Sequence, residues 1–392
     1  MLYVVPRYPE LSQTFVQAEV RQVGQQGTKV SVAAWHASDP DPRTPVLRPV
    51  RPGPRAVFRC AVLVRRLGCS ASPADAVLTT IRAASLLGPV RSAAPDLVHA
   101  HFASRPTHVA AVLAAALGIP LTAVFHARDY RVGLPSRALK ARLARAARVF
   151  AISEDARAEL TARSGHADIG LLRASWSVPE GTRRADREPV DGSPLRVVTV
   201  ARLVPKKGLD VAIRAVARCL RAGVPVDYRI VGAGPEHDRL AALVRELDVG
   251  AHVHLTGPAA HADATAEVAR ADVAIMLCRR TVDGDADGIP VSLMEAAALE
   301  VPILSTTVGG IAELVEDGRT GILVPPDDIP AAADALTRLL DRPDLRRSLA
   351  EAAGHRVRAE FDPRHQAELL VAEWRRLVAR PAVLELDGVR RP

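Results

Sequence analysis

The sequence predicts an α/β protein of two domains, each a parallel β-sheet flanked by helices. Three observations carry this. At 392 residues the chain exceeds one ordinary domain and allows two full cores. Short β-rich runs alternate with helical stretches from end to end. A polar, Pro- and Gly-rich segment, Ser177–Pro194, lacks apolar periodicity and divides the βα runs into two groups. Hydrophobic residues make up 48% of the chain and aromatics only 3%, so Ala, Val and Leu must build the cores, as they do in helix-covered parallel sheets. That apolar content excludes a disordered chain.

In order, LYVV directly after Met1, then Val30–Trp35, Leu97–Ala100, Leu121–Phe125 and Val149–Ile152, read as buried strands of a first domain. Arg196–Val200, Val226–Val231, Val253–Thr256, Val273–Leu277, Ile303–Ser305 and Gly321–Val324 read as strands of a second. Helices fill most of the gaps. The segment 37–55 holds too much proline for a helix or central strand and reads as a surface loop. The uncharged run Val109–Phe125 approaches the length of a membrane span, but Gly118-Ile119-Pro120 breaks it into helix, turn and buried strand. A last helix near His365–Val378 places Leu369, Leu370, Trp374 and Leu377 at helical spacing. The start of the chain shows no basic region followed by a long apolar stretch, which predicts a cytoplasmic protein without a signal peptide.

The net charge of +8 is uneven. Residues 1–190 hold 26 Lys and Arg against 14 Asp and Glu, a balance of +12, which leaves the remainder at −4. A basic first half suits an anionic partner such as a membrane surface or a phosphorylated acceptor, with a general preference for Arg as the plain alternative. Nucleic acid is a poor fit, since basic stretches lack interleaved aromatics and no known module is present. The four cysteines form no CxxC pair and no cluster with histidine, so reduced thiols and no metal are expected. Lysine occurs only at 29, 140, 206 and 207. Two of these stand side by side in ARLVPKKGLD, where a compact ammonium is wanted.

The stretch Asp283–Pro325 carries the strongest chemical signal. Asp287 and Glu295 flank the turn Gly288-Ile289-Pro290, which opens a helix. Free N–H groups at a helix start suit phosphate, and the carboxylates suit sugar hydroxyls. Arg202 and Lys207, just after the first strand of the second domain, would meet a diphosphate whose charge grows as a bond to it breaks. A solvated turn is the plain alternative for that pair alone. Gly232-Ala233-Gly234-Pro235-Glu236 only superficially resembles a dinucleotide-binding loop, because Pro235 interrupts and His237 takes the third glycine's place. The loop from Asp283 mimics the start of a calcium loop but ends in Met294 where Glu is required. In the first domain, His126 follows a strand in VFHARDY, and His99 and His101 are similarly placed in LVHAHF, positions that suit contact with a reacting sugar, with a satisfied structural histidine as the plain alternative. The segment Arg137–Arg148 reads as a helix with Arg137, Arg145 and Arg148 on one face, a candidate for an anionic membrane surface, with a solvated face over a core stripe as the plain alternative.

Taken together, these motifs resemble the retaining GT-B glycosyltransferases of family 4, most closely the branch that builds bacterial exopolysaccharides of the colanic acid type. The likeness covers nearly the whole chain: YPELSQTF, HAHFA and FHARD in the first half, then VARLVPKKGLD, IVGAGPE, DGIPVSLMEA and GGIAELVEDGRTGILV in order. It implies two Rossmann-like domains facing across a cleft: residues 1–180 as the acceptor domain, joined by a C-terminal helix of about 365–392, then a linker 181–194 and a donor domain 195–364. It implies transfer of a hexose, with retention, from a nucleoside-diphosphate sugar (UDP- or GDP-linked) to a glycan, lipid-linked or small-molecule acceptor, without a metal. By the same carry-over, Arg202 and Lys207 would hold the diphosphate, and Gly288, Ile289 and Val291 would cradle phosphate through their amides. Glu295 would take the ribose hydroxyls, Asp287 the donor sugar, and His126 would lie near the anomeric carbon. Gly234, Gly309 and Gly310 would line the donor side, with Ser12, Thr14, His101 and Asp129 on the acceptor side. Three positions depart from the pattern: Asp287 and Gln13 stand where relatives carry Glu, and Glu300 stands where a helix end wants Gly. The rival expectation is a nucleotide-sugar-binding or assembly protein of the same fold that has lost transfer.

Overall fold

The computed structural model describes residues 1–10, 13–37, 44–126, 131–132, 135–184 and 193–379. Ser12 and Asp129, part of the proline-rich segment, residues 185–192 between the halves and the end of the chain lie outside them. Seven parallel strands form the first sheet: β1 (Leu2–Tyr8), β2 (Ser31–Ala37), β3 (Val46–Leu47), β4 (Val98–His101), β5 (Leu121–Phe125), β6 (Arg148–Ala151) and β7 (Ile169–Leu171), in the order β3-β2-β1-β4-β5-β6-β7. Six more form the second: β8 (Leu195–Val200), β9 (Val226–Val231), β10 (Val253–Gly257), β11 (Val273–Met276), β12 (Ile303–Thr306) and β13 (Ile322–Val324), in the order β10-β9-β8-β11-β12-β13.

Each sheet is covered on both faces, which is why its strands read as continuous apolar runs. Leu2 and Val4 of β1 enter one core while Tyr3 and Val5 enter the opposite one. In the second sheet Val273 and Ile275 of β11 face one core, and Ala274 and Met276 the other. This is the two-residue alternation of a pleated strand. The order in which successive strands are added reverses between β1 and β4 in the first sheet and between β8 and β11 in the second. Ligands of such sheets bind beyond the carboxyl ends of the strands at these switch points.

Three differences from the sequence reading have local causes. The proline-rich segment contains β3, a two-residue edge strand on β2, where missing N–H groups are tolerated. Ile169–Leu171 adds a further edge strand, too short to show a pattern in the sequence. The helix read over Arg137–Arg148 runs Ser136–Arg145; Arg148 begins β6 and is paired with Asp168, so it does not extend a basic helix face.

The final helix, Pro363–Ala379, packs on the first sheet. Leu370, Val371 and Trp374 join its core, and the Trp374 indole donates to Thr122 Oγ1 at 3.0 Å. Leu369 points to solvent instead. Across the domains, Glu313 accepts hydrogen bonds from the backbone N–H groups of Glu154 and Asp155 at 3.0 and 3.1 Å and pairs with Arg173 at 2.6 Å.

Glu300 closes the helix Val291–Ala298 with φ 53°, the conformation for which glycine is the default. Its N–H reaches Ala297 O and that of Val301 reaches Ala296 O, the paired bonds of a left-handed helix stop. The Glu300–Arg358 pair at 2.7 Å is half exposed and adds little. Glu300→Gly is therefore expected to stabilise the protein by up to about 1 kcal/mol. Thermal unfolding should show a rise of roughly 2–4 °C; a fall would show that the carboxylate pair outweighs the backbone strain.

Candidate active site

At the switch point of the second sheet, the loop after β8 meets the loop after β11. Lys206 Nζ lies 3.1 Å from Asp285 Oδ1 and 3.1 Å from Asp287 Oδ1, and Lys207 Nζ lies 2.8 Å from Asp287 Oδ2. Burial alone would raise the Asp287 carboxyl, but the Lys207 and Lys206 ammonium groups overcome it and hold the group well below the usual carboxylate range. Burial likewise opposes the Lys207 charge, and Asp287 more than offsets it, so that ammonium is held firmly protonated. Buried Cys278 stands 3.7 Å from Asp287 with its thiol pushed up, chiefly by burial, and is no nucleophile. Arg202 is exposed beside this cluster, and its charge acts on Lys207.

Glycines set the shape of the wall. Gly309, after β12, has φ 61°, and a Cβ there would overlap the Asp287 carbonyl oxygen. A Cβ at Gly310 would meet Ser153 of the first domain at 2.8 Å. Gly234, after β9, backs onto Leu203 with no room for a side chain. Gly288 and Ile289 are buried in the turn that leads into the helix Val291–Ala298, whose N-terminus has no side-chain cap. One turn along, Glu295 is buried, and its Oε1 has no hydrogen-bond partner. His261 Nε2 lies 3.8 Å away, beyond hydrogen-bond reach, and burial holds that imidazole below the ordinary histidine value. A buried carboxyl with an unsatisfied oxygen calls for a ligand donor or a proton.

In the first domain, His126 stands half-buried after β5, with the rings of Phe15 and Phe102 at 4.9 and 4.8 Å from its own. Its Nε2 lies 3.1 Å from His101 Nδ1, and His101 Nε2 lies 3.0 Å from Glu19 Oε1. Tyr3 donates to the same oxygen at 2.9 Å. Burial would raise Glu19, yet His101 and His99 hold it well below the carboxylate range. An ionised carboxylate only accepts, so His101 carries a proton on Nε2, and its Nδ1 shares a hydrogen with His126 Nε2. Burial, then His101, lowers His126 well below the ordinary histidine value, which makes it a neutral imidazole. Phe102 beside it has φ 75°, strained for a non-glycine residue. Glu19, His99 and His101 also form the one group with metal-ligand spacing among the described residues, their atoms lying within 4.8 Å of one another. Two of those atoms are already joined by the hydrogen bond at 3.0 Å.

The structure thus gathers Arg202, Lys207, Asp287, Gly234, Gly288, Ile289, Val291, Glu295, Gly309 and Gly310 at the carboxyl ends of the second sheet. It gathers His101 and His126 with Thr14, the first residue of the helix Thr14–Gln25, at those of the first. Arg131 links the two sets, reaching Ala286 O and Asp287 O at 3.3 and 3.4 Å while its other nitrogens hold Asp155 and Glu159. Sequence reasoning missed Glu19, Lys206, Asp285 and Arg131. Glu19 had a readable signal: it occupies a buried helical stripe with Val16, Val20 and Val23, where a lone carboxylate needs a partner.

Residues 12–170 match the model of Glycosyltransferase Family 4 and residues 183–356 that of Glycosyl transferases group 1. The chain belongs to this family of two-domain, GT-B-type glycosyltransferases. It is 37% identical over 196 residues to the putative colanic acid biosynthesis glycosyltransferase WcaL of Salmonella typhimurium, covering 50% of this chain and 48% of that protein. It is 36% identical over 180 residues to the amylovoran biosynthesis glycosyltransferase AmsK of Erwinia amylovora, covering 46% and 44%. The chain thus spans about half the length of the curated relatives it matches. Its fold is similar to that of Anabaena Alr3699/HepE solved with UDP and glucose, with a TM-score of 0.71, 17% identity, and coverage of 95% of this chain and 98% of that one.

Burial pushes the Glu295 carboxyl up to about 8, from an ordinary 4.5. The folded protein then keeps a proton that the unfolded chain has lost, so stability falls as pH rises from about 4.5 to about 8. Melting temperature across that window should fall less steeply in Glu295→Gln than in the parent. Equal slopes would remove Glu295 as the cause.

Proposed function

We propose that the protein is a retaining glycosyltransferase that moves a hexose from a nucleoside-diphosphate sugar to a glycan, lipid-linked or small-molecule acceptor in exopolysaccharide or glycoconjugate synthesis. The observation that carries this reading is the convergence of Arg202, Lys206 and Lys207 on the uncapped helix start beside the unsatisfied Glu295. Cations and free N–H groups suit a diphosphate, and a buried carboxyl one turn along suits the ribose hydroxyls. The UDP in the HepE complexes supports a nucleotide donor in this fold.

On this reading the diphosphate competes with Asp287 for Lys207. The freed carboxylate turns toward the donor sugar, and Lys207 and Arg202 meet the charge that develops on the leaving group. Gly288, Ile289 and Val291 offer amide donors to the same phosphates. His126, neutral and held by His101 and Glu19, faces the reacting sugar as a hydrogen-bonding group, not as a fixed cation. The departing diphosphate accepts the acceptor's proton on the face it leaves, so the configuration is kept. The chemistry asks for no metal, since fixed cations balance the diphosphate. The acceptor binds the basic first domain, Thr14 and His101 lining its side, and the protein works in the cytoplasm at an anionic membrane surface.

A second reading, a donor-binding protein without transfer, is favoured by one observation: Asp287, shorter than the relatives' Glu, is already engaged by two lysines. A melting scan against UDP, GDP, ADP and TDP and their sugars separates the cases, since a ligand at about a hundred times its Kd adds about 2.7 kcal/mol. Stabilisation by one nucleotide sugar, with release of its diphosphate on adding acceptor, is the expected result. Stabilisation without release under any pairing would establish the second reading. Arg202→Ala and Lys207→Ala should each lower turnover by about a hundredfold or more; near-normal turnover in both would overturn the role of the cations. Glu19→Gln should lower turnover about tenfold or more, the loss of a hydrogen bond to a charged group, with the donor KM little changed. A parent-like kcat would reduce Glu19 to packing.

A further inference from the structure

The helices Pro54–Leu67, Pro73–Ala93 and Ser136–Arg145 enclose an open groove of about 760 Å³ on the first domain. Its walls are apolar, with Val57, Ala61, Val64, Ala76, Val77 and Ile81 among them, and Arg65 and Arg137 stand at its edge. Beside and within it the surface stays apolar: Phe58 is 73% exposed, Val77 59% and Ile81 50%, with Leu78 next to them. These four are half of the exposed large hydrophobic residues among the described ones, gathered on two helices that pack together. Such a cluster marks an interaction surface rather than chance exposure.

The charge around it has one sign. Pro54–Leu67 carries Arg55, Arg59, Arg65 and Arg66 and no acid; Ser136–Arg145 carries Arg137, Lys140, Arg142 and Arg145 and no acid. The single carboxylate of the intervening helix, Asp75, is buried and held by Arg142 at 2.9 Å and Arg105 at 3.0 Å. None of the three helices therefore presents an exposed carboxylate. A second copy of the chain docking here by a twofold would bring arginines against arginines. Apolar side chains flanked by Arg65 and Arg137, on helices whose exposed charges are all basic, match the boundary between anionic headgroups and acyl chains.

We propose that this face seats on an anionic lipid bilayer, with Phe58, Val77 and Ile81 entering the headgroup boundary and the arginines meeting lipid phosphates. The site differs from the helix face read from the sequence, since Arg148 is tied to Asp168 and the exposed apolar side chains come from the other two helices. Its place in the fold is apt. Ser70, Ala71 and Pro135, at the groove's end, lie at the carboxyl end of the first sheet, the same end as His126. A lipid-borne acceptor would thus arrive at the cleft, a link that rests on the function proposed above, whereas the docking itself does not.

The test is co-sedimentation of the full chain with vesicles of phosphatidylcholine alone or of equimolar phosphatidylcholine and phosphatidylglycerol. Binding is expected only to the anionic vesicles, and added salt should weaken it. Arg65→Gln with Arg66→Gln should lower partitioning about thirtyfold, from roughly 1 kcal/mol lost per charge near the surface. Phe58→Asp with Ile81→Asp should abolish binding. Both pairs are exposed, so melting temperature, the shift given by nucleotide and transfer to a water-soluble acceptor should match the parent. Those readouts separate failure of this inference from failure of the functional reading. No binding to either vesicle, equal binding to both, or a concentration-dependent dimer lost on Phe58→Asp would overturn it.

Discussion

The carboxylate of Asp287, held between Lys206 and Lys207, is the interaction on which the rest of the site depends. It joins the loop after β8 to the loop after β11, the two strands at which the order of the second sheet reverses. Without it, two adjacent ammonium groups would face each other across a partly buried gap, a repulsion that low dielectric makes severe. With it, the cations sit in place before any ligand arrives. Gly309 tightens the arrangement from the next strand, because only a residue without a side chain lets β12's loop lie on the Asp287 carbonyl.

The first domain supplies the complementary half by different means. Its key group is an imidazole, and what fixes it is a chain of hydrogen bonds that ends on a buried carboxylate. Glu19 lies well away in sequence, on the helix after β1, while His101 and His126 end β4 and follow β5. The closing helix contributes as well, since Trp374 holds Thr122, and Thr122 holds His99 at 2.7 Å beside Glu19. The end of the chain thereby acts on the histidines from behind the sheet.

Much of this was legible in the sequence because it is local. Strands such as Leu121–Phe125 and Val226–Val231 announce themselves as apolar runs, and Glu300 at a position wanting glycine shows in its observed φ. The residues expected on the donor side stood out because they cluster in a few short stretches after strands. Hidden were the partnerships that only folding creates. Nothing near Arg131 in the chain tells that it will reach the carbonyls of Ala286 and Asp287, and nothing in PKK distinguishes the lysine that is buried against Asp285 from its neighbour. The edge strands β3 and β7 escaped notice for a simpler reason: two or three residues are too few to show an alternation.

Glu313 supplies to a helix of the opposite domain what a capping side chain ordinarily supplies to its own. The helix Glu154–Ser164 already has Ser153 on its Ala156 N–H, and its next two free amides, at Glu154 and Asp155, are met only when the second domain is in place. Swinging the domains apart would leave those amides to water and strip Arg173 of its partner at the same stroke. Opening and closing are in this way tied to the electrostatics of a helix end, and the shut form has a foothold that owes nothing to substrate. Because that foothold is ionic yet mostly shielded from solvent, dissolved salt weakens it less than it would a surface pair, and the resting angle of the two halves belongs to the chain more than to the medium.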